Sequence, residues 1–170
     1  GQGHETAYAQ ILSDKLGISL SDVYLLQGDS DIVPSGQGSS GSRSISIGGN
    51  AVALAANRSK ERAKKIAANM LEAAPDDIYL KHGVFEVAGT DRRVNFKEVQ
   101  KAAFNAAIVP NGEDLGLDSQ AHHMAHDVTY PNGCHICEIE IDPDTGNINI
   151  VGYWAVDDFG IIINPMLVDG

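Results

Sequence analysis

Positive charge, cysteine and long apolar runs are all scarce in this chain. Its 170 residues include 12 Lys and Arg against 23 Asp and Glu, for a net charge of −11. That balance argues against general binding of nucleic acid or of an anionic membrane, since both repel an acidic protein. No stretch approaches the ~20 consecutive apolar residues that a membrane-spanning helix needs. Any phosphate bound by this chain must therefore be held by local geometry.

Cysteine occurs only at Cys134 and Cys137, which gives no disulfide framework. An internal C-x-x-C fits a reducing compartment at least as well as an oxidising one, and no export signal supports secretion, so we expect a cytoplasmic protein. The run NGCHIC also raises the alternatives of a zinc site or a redox pair. Residues three apart on a strand project to opposite faces, however, so these thiols are poorly placed to bind one ion. We interpret both as ordinary strand residues, with Cys137 in the core.

Helical patterning marks three segments. Residues 6–16 carry a mostly apolar face and are followed by Gly17, a typical helix C-cap. Residues 50–74 predict a longer helix, whose basic middle, NRSKERAKK, we expect to be solvated. Asn95 is a suitable N-cap for a third helix in NFKEVQKAAFNAA.

Strand patterning marks four further segments. DVYLLQGDSD predicts a short strand with Val23, Leu25 and Leu26 buried, and residues 125–130 predict another. IYLKHGVFEVAG predicts a hairpin that turns at His82-Gly83, and the segment from CHICEIEI to INIVGYWAV predicts a longer hairpin with PDTG as its turn. The pattern as a whole predicts an α+β fold in which helices pack on a mixed or antiparallel sheet in two layers. A chain of this length suits one domain or two small α+β subdomains.

The Gly/Ser loop, residues 35–44, has the most unusual composition in the chain. Serine hydroxyls and unhindered backbone amides can surround phosphate oxygens closely, and Arg43 adds a fixed cation. The alternative is a flexible linker, the usual meaning of such composition. The loop is short and lies between a predicted strand and a predicted helix, so we favour an anion-binding loop. It lacks the Lys of a G-x-x-x-x-G-K-[ST] loop, which argues against hydrolysis of ATP or GTP.

The opening GQGHETAYAQIL leads a tight Gly-Gln-Gly turn into a helix. Backbone amides at a helix N-terminus hold anions, so this turn is a second candidate anion site.

The other histidines and carboxylates are spaced in ways that indicate a site only weakly. In HHMAHD, His122 and His126 are four apart, which on a helix would offer two imidazoles to one metal. Gly and Asp upstream indicate loop and strand instead, so we interpret the cluster as solvated loop histidines. Four acids at predicted strand ends have no pairing that suits acid–base catalysis: Asp29, Asp31, Asp157 and Asp158.

Four segments together resemble the C-terminal molybdenum-cofactor-binding region of the large subunit of the xanthine dehydrogenase and aldehyde oxidase family: GQGHETAYAQI, GDSDIVPSGQGSSGSRS, GGNAV and GCHICEIEIDPDTGNINIVGYWAVDDFGIIINPMLVDG. They are most similar to bacterial members such as the aerobic carbon monoxide dehydrogenase large chain. The resemblance implies that residues 1–170 are a molybdopterin-binding domain fragment of a larger subunit. It also implies that the parent is a molybdopterin-dependent oxidoreductase, which hydroxylates a carbon centre of carbon monoxide, an aldehyde, a purine or an N-heterocycle with oxygen from water.

Carried over residue by residue, the resemblance implies that the opening turn and the Gly/Ser loop both contact the cofactor, in bacteria commonly a molybdopterin cytosine dinucleotide. The backbone amide of Gly41 would lie beside the molybdenum, with no side chain bound to the metal. The implied cofactor-binding residues are Gly1, Gln2, Gly3, His4, Thr6, Ser40, Gly41, Ser42, Arg43 and Ser44.

The resemblance also implies what lies elsewhere. The general-base glutamate is expected downstream of Gly170, so no catalytic residue is expected in this chain, and Glu5 has no match to that role. The expected partners are the rest of the large subunit, iron–sulfur and FAD subunits or domains, and a small-molecule substrate, with no nucleic acid and no membrane span. The fragment alone is expected to be inactive and to hold no cofactor. A non-catalytic module that binds phosphate or a nucleotide remains the alternative function.

Overall fold

A computed structural model of the chain describes residues 2–33, 35–36 and 38–170. The chain divides into two compact units, Gly1–Ala125 and His126–Gly170. Both contain antiparallel strands and α-helix, so the predicted α+β class is confirmed. No helix among the described residues is long and apolar enough to cross a lipid bilayer.

The first unit combines helices with a three-stranded antiparallel sheet. Its elements, in chain order, are α1 (His4–Leu16), α2 (Asn50–Met70), β1 (Ile78–Lys81), β2 (Val84–Val87), β3 (Arg93–Asn95) and α3 (Phe96–Ala102). The strand order is β1-β2-β3. A π-helical turn at Ser44–Gly49 runs directly into α2, and short 3-10 turns occupy Leu20–Asp22 and Pro75–Asp77.

Local sequence signals fix where these elements begin and end. Gly17, at φ 68°, donates its N–H to the carbonyl of Ser13 and ends α1 where predicted. The side chain of Asn95 accepts the N–H of Glu98 at 2.9 Å, and the Glu98 carboxylate accepts the N–H of Asn95 at 3.0 Å. This capping box starts α3. His82 and Gly83, with φ of 47° and 76°, form the two-residue turn between β1 and β2.

The core of the first unit lies between the sheet, α2 and α3. Phe85 on β2, Ile66 on α2 and Val99 on α3 are fully buried, and the rings of Phe85 and Phe96 stack with centroids 5.9 Å apart. Full burial of such side chains contributes roughly 1.5–3 kcal/mol each. Leu16 joins this core from α1, which places the N-terminal helix firmly against the rest of the unit.

The basic middle of α2, expected to be solvated, is exposed at Asn57, Arg58, Glu61 and Lys65 but buried at Ala63, and it also binds a following segment. The hydroxyl of Ser59 donates to the carbonyl of Leu117 at 2.8 Å, and Asn69 donates to the carbonyl of Ile108 at 2.6 Å. Lys65 pairs with Glu113 at 2.5 Å, and Arg58 donates to the carbonyl of Gln120. These contacts hold residues 108–120, which form no helix or strand, along α2.

The second unit is a two-stranded ribbon of β4 (Asn132–Ile141) and β5 (Ile148–Asp158), followed by the short helix α4 (Pro165–Asp169). The predicted long hairpin is confirmed. Its turn is stabilised by the Asp142 carboxylate, which accepts the N–H groups of Asp144 at 2.8 Å and Thr145 at 3.3 Å. Residues 126–170 are all described, and none of them is buried. Large apolar side chains such as Ile150 (70% exposed) and Trp154 (54% exposed) therefore face outward.

Several local predictions are wrong. Residues 22–31 and 125–130 form no strand, because no described strand lies beside them to accept their backbone hydrogen bonds. Leu26, predicted buried, is 64% exposed. Helix α2 ends at Met70 rather than at residue 74, since Glu72 has a left-handed backbone with φ 50°. Cys137 is exposed rather than in the core, because the second unit, all of whose residues are described, has no second layer of its own on the ribbon.

Candidate functional site

The N-terminal end of α1 offers backbone amides to an anion. Gly3 precedes the helix with φ 67° and has no side chain with which to cap it. The Gly3 carbonyl accepts the N–H of Ala7 at 3.0 Å, so the first turn is formed, and the N–H groups of that turn have no partner within the helix. The helix is 13 residues long, and its dipole favours negative charge at this end.

His4 presents a buried nitrogen without a partner. Its Nδ1 lies 3.1 Å from Oε1 of Gln27 and donates a hydrogen bond to that oxygen, which can only accept. Within the described residues, Nε2 is buried and has no hydrogen-bond partner. An unsatisfied buried polar atom costs about 1–3 kcal/mol. Nε2 therefore marks a point at which a ligand group would be stabilising.

Tyr8 connects α1 to the Gly/Ser loop. Its ring stacks on that of His4, with centroids 5.2 Å apart and an interplanar angle of 15°. Its hydroxyl donates to the carbonyl oxygen of Ser44 at 2.8 Å. Burial raises the pKa of Tyr8, which keeps the phenol protonated and able to donate. His4 and Ser44 thus lie on two sides of one tyrosine, and the two predicted binding segments are neighbours.

The π-helical turn after the loop approaches α1 closely. A Cβ atom at Gly48 would lie 2.4 Å from the hydroxyl of Tyr8, and one at Gly49 would lie 3.1 Å from Cδ1 of Ile11. The two glycines therefore make room for the α1 side chains. Single π-helical turns are frequent at functional sites, and this one starts at Ser44.

The Gly/Ser loop is exposed and makes hydrogen bonds within itself. The Ser39 and Ser44 hydroxyls lie 2.6 Å apart, and Arg43 Nη2 donates to the carbonyl of Gly38 at 3.3 Å. The carbonyl of Ser40 accepts the N–H of Arg43 at 3.4 Å, which closes a turn around Gly41 and Ser42. Both central residues have positive φ, 57° and 54°, as in a type I′ turn.

The turn at Gly41 faces open space. A Cβ atom built there would meet no heavy atom within 4 Å in the described part of the chain. Ser40, Gly41 and Ser42 are exposed, whereas Arg43 and Ser44 are half-buried. The loop consequently presents amides and hydroxyls outward while its last residues are held against α1.

Two other predicted site residues, Gln2 and Thr6, are exposed. Thr6 follows His4 by two positions, which turns its side chain about 200° around the helix, away from the His4 face. Gly1 lies outside the described residues.

Two features were missed by sequence reasoning. The first is Tyr8, which lies four residues after His4 and therefore on the same helix face. That spacing and the adjacent glycines at 48 and 49 are the sequence features that could have indicated it. The second is a polar cluster on the ribbon, where His135 Nδ1 lies 2.8 Å from the Tyr153 hydroxyl and Nε2 lies 3.1 Å from Oδ1 of Asp157. Only the strand register reveals this second group.

The described residues contain no group of three or more His, Cys, Asp or Glu side chains that could hold a metal ion. His122 and His126 are exposed on irregular backbone, so the loop interpretation of HHMAHD is confirmed. Cys134 and Cys137 are free, exposed and on opposite faces of β4.

Comparison with known proteins gives consistent matches over the whole chain. A family model described as "Molybdopterin cofactor-binding domain" matches residues 1–170. The carbon monoxide dehydrogenase large chain of Hydrogenophaga pseudoflava is 39% identical over 171 residues, which is 100% of this chain and 21% of that protein. The 6-hydroxypseudooxynicotine dehydrogenase complex subunit gamma of Paenarthrobacter nicotinovorans is 36% identical over 170 residues, again 100% of this chain and 21% of the relative.

Solved structures agree with these sequence matches. A Cu,Mo-CO dehydrogenase in its carbon monoxide reduced state has a TM-score of 0.93 and 38% identity, over 99% of this chain and 21% of that one. The chain thus spans about a fifth of the length of the relatives that it matches.

Proposed function

The chain belongs to the molybdopterin cofactor-binding domain family, and from this premise we propose that the N-terminal end of α1 and the Gly/Ser loop together hold one molybdopterin cofactor. The observation that carries this proposal is the contact of Tyr8 with both segments, the ring of His4 at 5.2 Å and the carbonyl of Ser44 at 2.8 Å. Two anion-binding elements on adjacent parts of one surface suit a ligand with several polar ends.

The residues present fit such a group. His4 Nε2 is a buried polar atom that lacks a partner among the described residues, and the backbone of Gly41 has open space in front of it. Hydroxyl groups at Ser40 and Ser42 and the guanidinium of Arg43 suit phosphate oxygens. We assign the backbone amide of Gly41 to the molybdenum end of the cofactor and the cytosine dinucleotide as its form, as the family resemblance implies.

The role of this chain in the reaction is binding and orientation. The cofactor, when bound, supplies the redox chemistry that hydroxylates a carbon centre with oxygen from water. Gln2, Gly3, His4 and the first-turn amides of α1 would fix one part of it, and residues 40–44 another. We place the general base elsewhere in the complete protein and assign no catalytic side chain to residues 1–170.

The ribbon β4–β5 supports the proposal that this chain is one domain of a larger subunit. Residues 126–170 include no buried side chain, and a two-stranded ribbon alone is marginally stable in water. The segment has no Lys or Arg, and its acids are Asp127, Glu138, Glu140, Asp142, Asp144, Asp157, Asp158 and Asp169. We propose that the rest of the large subunit covers the ribbon with a surface that is apolar and basic.

The complete protein is proposed to be a molybdenum hydroxylase of the cytoplasm. Iron–sulfur and FAD subunits or domains would receive the electrons, and the substrate would be a small molecule: carbon monoxide, an aldehyde, a purine or an N-heterocycle. The matched relatives are named for unlike substrates, carbon monoxide and 6-hydroxypseudooxynicotine. Specificity is therefore proposed to reside outside residues 1–170.

Metal and pterin analysis of the complete protein tests this proposal. We expect molybdenum together with a pterin that is released on denaturation. A protein that retains a nucleotide or phosphate but contains neither molybdenum nor pterin would instead be the non-catalytic binding module.

A further inference from the structure

Tyr8 makes contacts that neither the sequence patterns nor the family resemblance assigned to it. We propose that Tyr8 is a positioning residue, which fixes the ring of His4 and the carbonyl of Ser44 relative to each other and so pre-arranges the two cofactor-binding segments. This inference rests on the proposed function and identifies the residue that holds the proposed cofactor site in shape.

The aromatic ring of Tyr8 sets the orientation of His4. The two rings are nearly parallel, at 15°, and Nδ1 of His4 is bonded to Gln27 at 3.1 Å. A ring that is stacked on one face and bonded at one nitrogen has little freedom to rotate. The direction of Nε2, the buried atom without a described partner, is thereby fixed.

The hydroxyl of Tyr8 sets the position of the loop end. It donates to the carbonyl of Ser44, whose own hydroxyl lies 2.6 Å from that of Ser39 across the loop. The loop is therefore linked to α1 through Ser44, while Ser40, Gly41 and Ser42 remain exposed. Gly48 allows this arrangement, since a Cβ atom there would lie 2.4 Å from the Tyr8 hydroxyl.

Such pre-arrangement affects binding more than folding. A ligand that meets two ordered segments does not need to order them, so the cost of binding is lower. The hydroxyl contributes one hydrogen bond near the surface of the unit and is not part of the buried apolar core. Its removal should therefore loosen the loop and weaken cofactor retention while the protein remains folded.

The test uses Tyr8→Phe in the complete protein, which keeps the ring and removes the hydroxyl. We expect the cofactor to dissociate about three- to tenfold faster, the range that corresponds to one hydrogen bond. Tyr8→Leu, which also removes the stacking on His4, should lose the cofactor faster still. The matched control is Asn95→Ala, which removes the cap of α3 in the same unit and should leave the dissociation rate unchanged.

A second measurement does not involve the cofactor. In cofactor-free protein, amide hydrogen exchange over residues 38–46 should be faster in Tyr8→Phe than in wild type, and unaffected by Asn95→Ala. Wild-type exchange and wild-type cofactor release in Tyr8→Phe would overturn the positioning role and leave the proposed function intact. Equal effects of Tyr8→Phe and Asn95→Ala would also overturn it, because they would reflect general destabilisation. A wild-type protein that contains no molybdopterin would overturn the proposed function itself.

Discussion

The hydroxyl of Tyr8 donates to the carbonyl oxygen of Ser44 at 2.8 Å, across 36 positions of the chain. This contact joins the first helix to the end of the Gly/Ser loop, two segments that the sequence presents as separate candidate anion sites. Their proximity supports the proposal that the two segments form one binding surface.

Replacement of Gly48 by alanine should disturb this junction. The new Cβ atom would lie 2.4 Å from the Tyr8 hydroxyl, so either Tyr8 or the π-helical turn must move. Such overpacking lowers the free energy of unfolding by about 1–3 kcal/mol, and unfolding of the protein in denaturant would measure this loss. Gly36→Ala is the control, because a Cβ atom there would have no heavy atom of the described residues within 4 Å. Its effect on the free energy of unfolding should stay within about 0.5 kcal/mol. Equal stability of the two variants would contradict the close packing.

Bulky side chains in the Gly/Ser loop should reduce cofactor content. Ser42 lies in the exposed turn and Ser44 at the contact with Tyr8, so Ser42→Trp and Ser44→Trp would each occupy space that we assign to the cofactor. Molybdenum and pterin per protein should fall in both variants. Ser30→Trp, on an exposed serine outside the loop, should retain the wild-type content. Unchanged occupancy in Ser42→Trp and Ser44→Trp would count against the assignment of this loop.

The ion pair that holds residues 108–120 to α2 should give a defined pH dependence. A hydrogen bond from Lys65 lowers the pKa of Glu113 below its ordinary 4.5. Because the folded-state pKa is the lower one, the pair stabilises the protein above about pH 4.5, and this contribution is lost as the pH falls through the folded-state value. The difference in the free energy of unfolding between wild type and Glu113→Gln should therefore be present near neutral pH and become smaller in acid. A difference that is independent of pH, or insensitive to salt at neutral pH, would exclude this contribution.

The thiols of the ribbon test whether β4–β5 is covered in the complete protein. Cys134 and Cys137 are both exposed in this chain. If the rest of the subunit packs on the ribbon, alkylation of these thiols in the native complete protein should be much slower than in denatured protein. The rate for each thiol can be read from the modified peptides. Equal rates in native and denatured protein would show that the ribbon is open to solvent.

Sequence patterns predicted the parts of the fold that local chemistry determines. Gly17 ends α1, Asn95 starts α3 with Glu98, and both hairpins turn where glycine and polar residues occur. The strand expected at DVYLLQGDSD does not form, since a strand depends on a neighbour that the local pattern cannot reveal. The exposed position of Cys137 has a similar cause, because alternation predicts which residues share a face but not what covers that face.

The sequence suggested the two segments of the candidate site but not the contact between them. Helix N-termini and Gly/Ser loops have recognisable compositions, and the family resemblance pointed to the same residues. The contact that unites them depends on the approach of Gly48 to Tyr8, which involves residues 40 positions apart. The π-helical turn that begins at Ser44 has no sequence signal beyond the two glycines at its end.

Hydrogen exchange of the complete protein with and without its cofactor tests the central claim most directly. If one molybdopterin bridges the two segments, amides of residues 3–7 and of residues 40–44 should both become protected when the cofactor is present, while the β1–β2 hairpin should not change. Protection of neither segment, or of only one, would contradict a shared cofactor site.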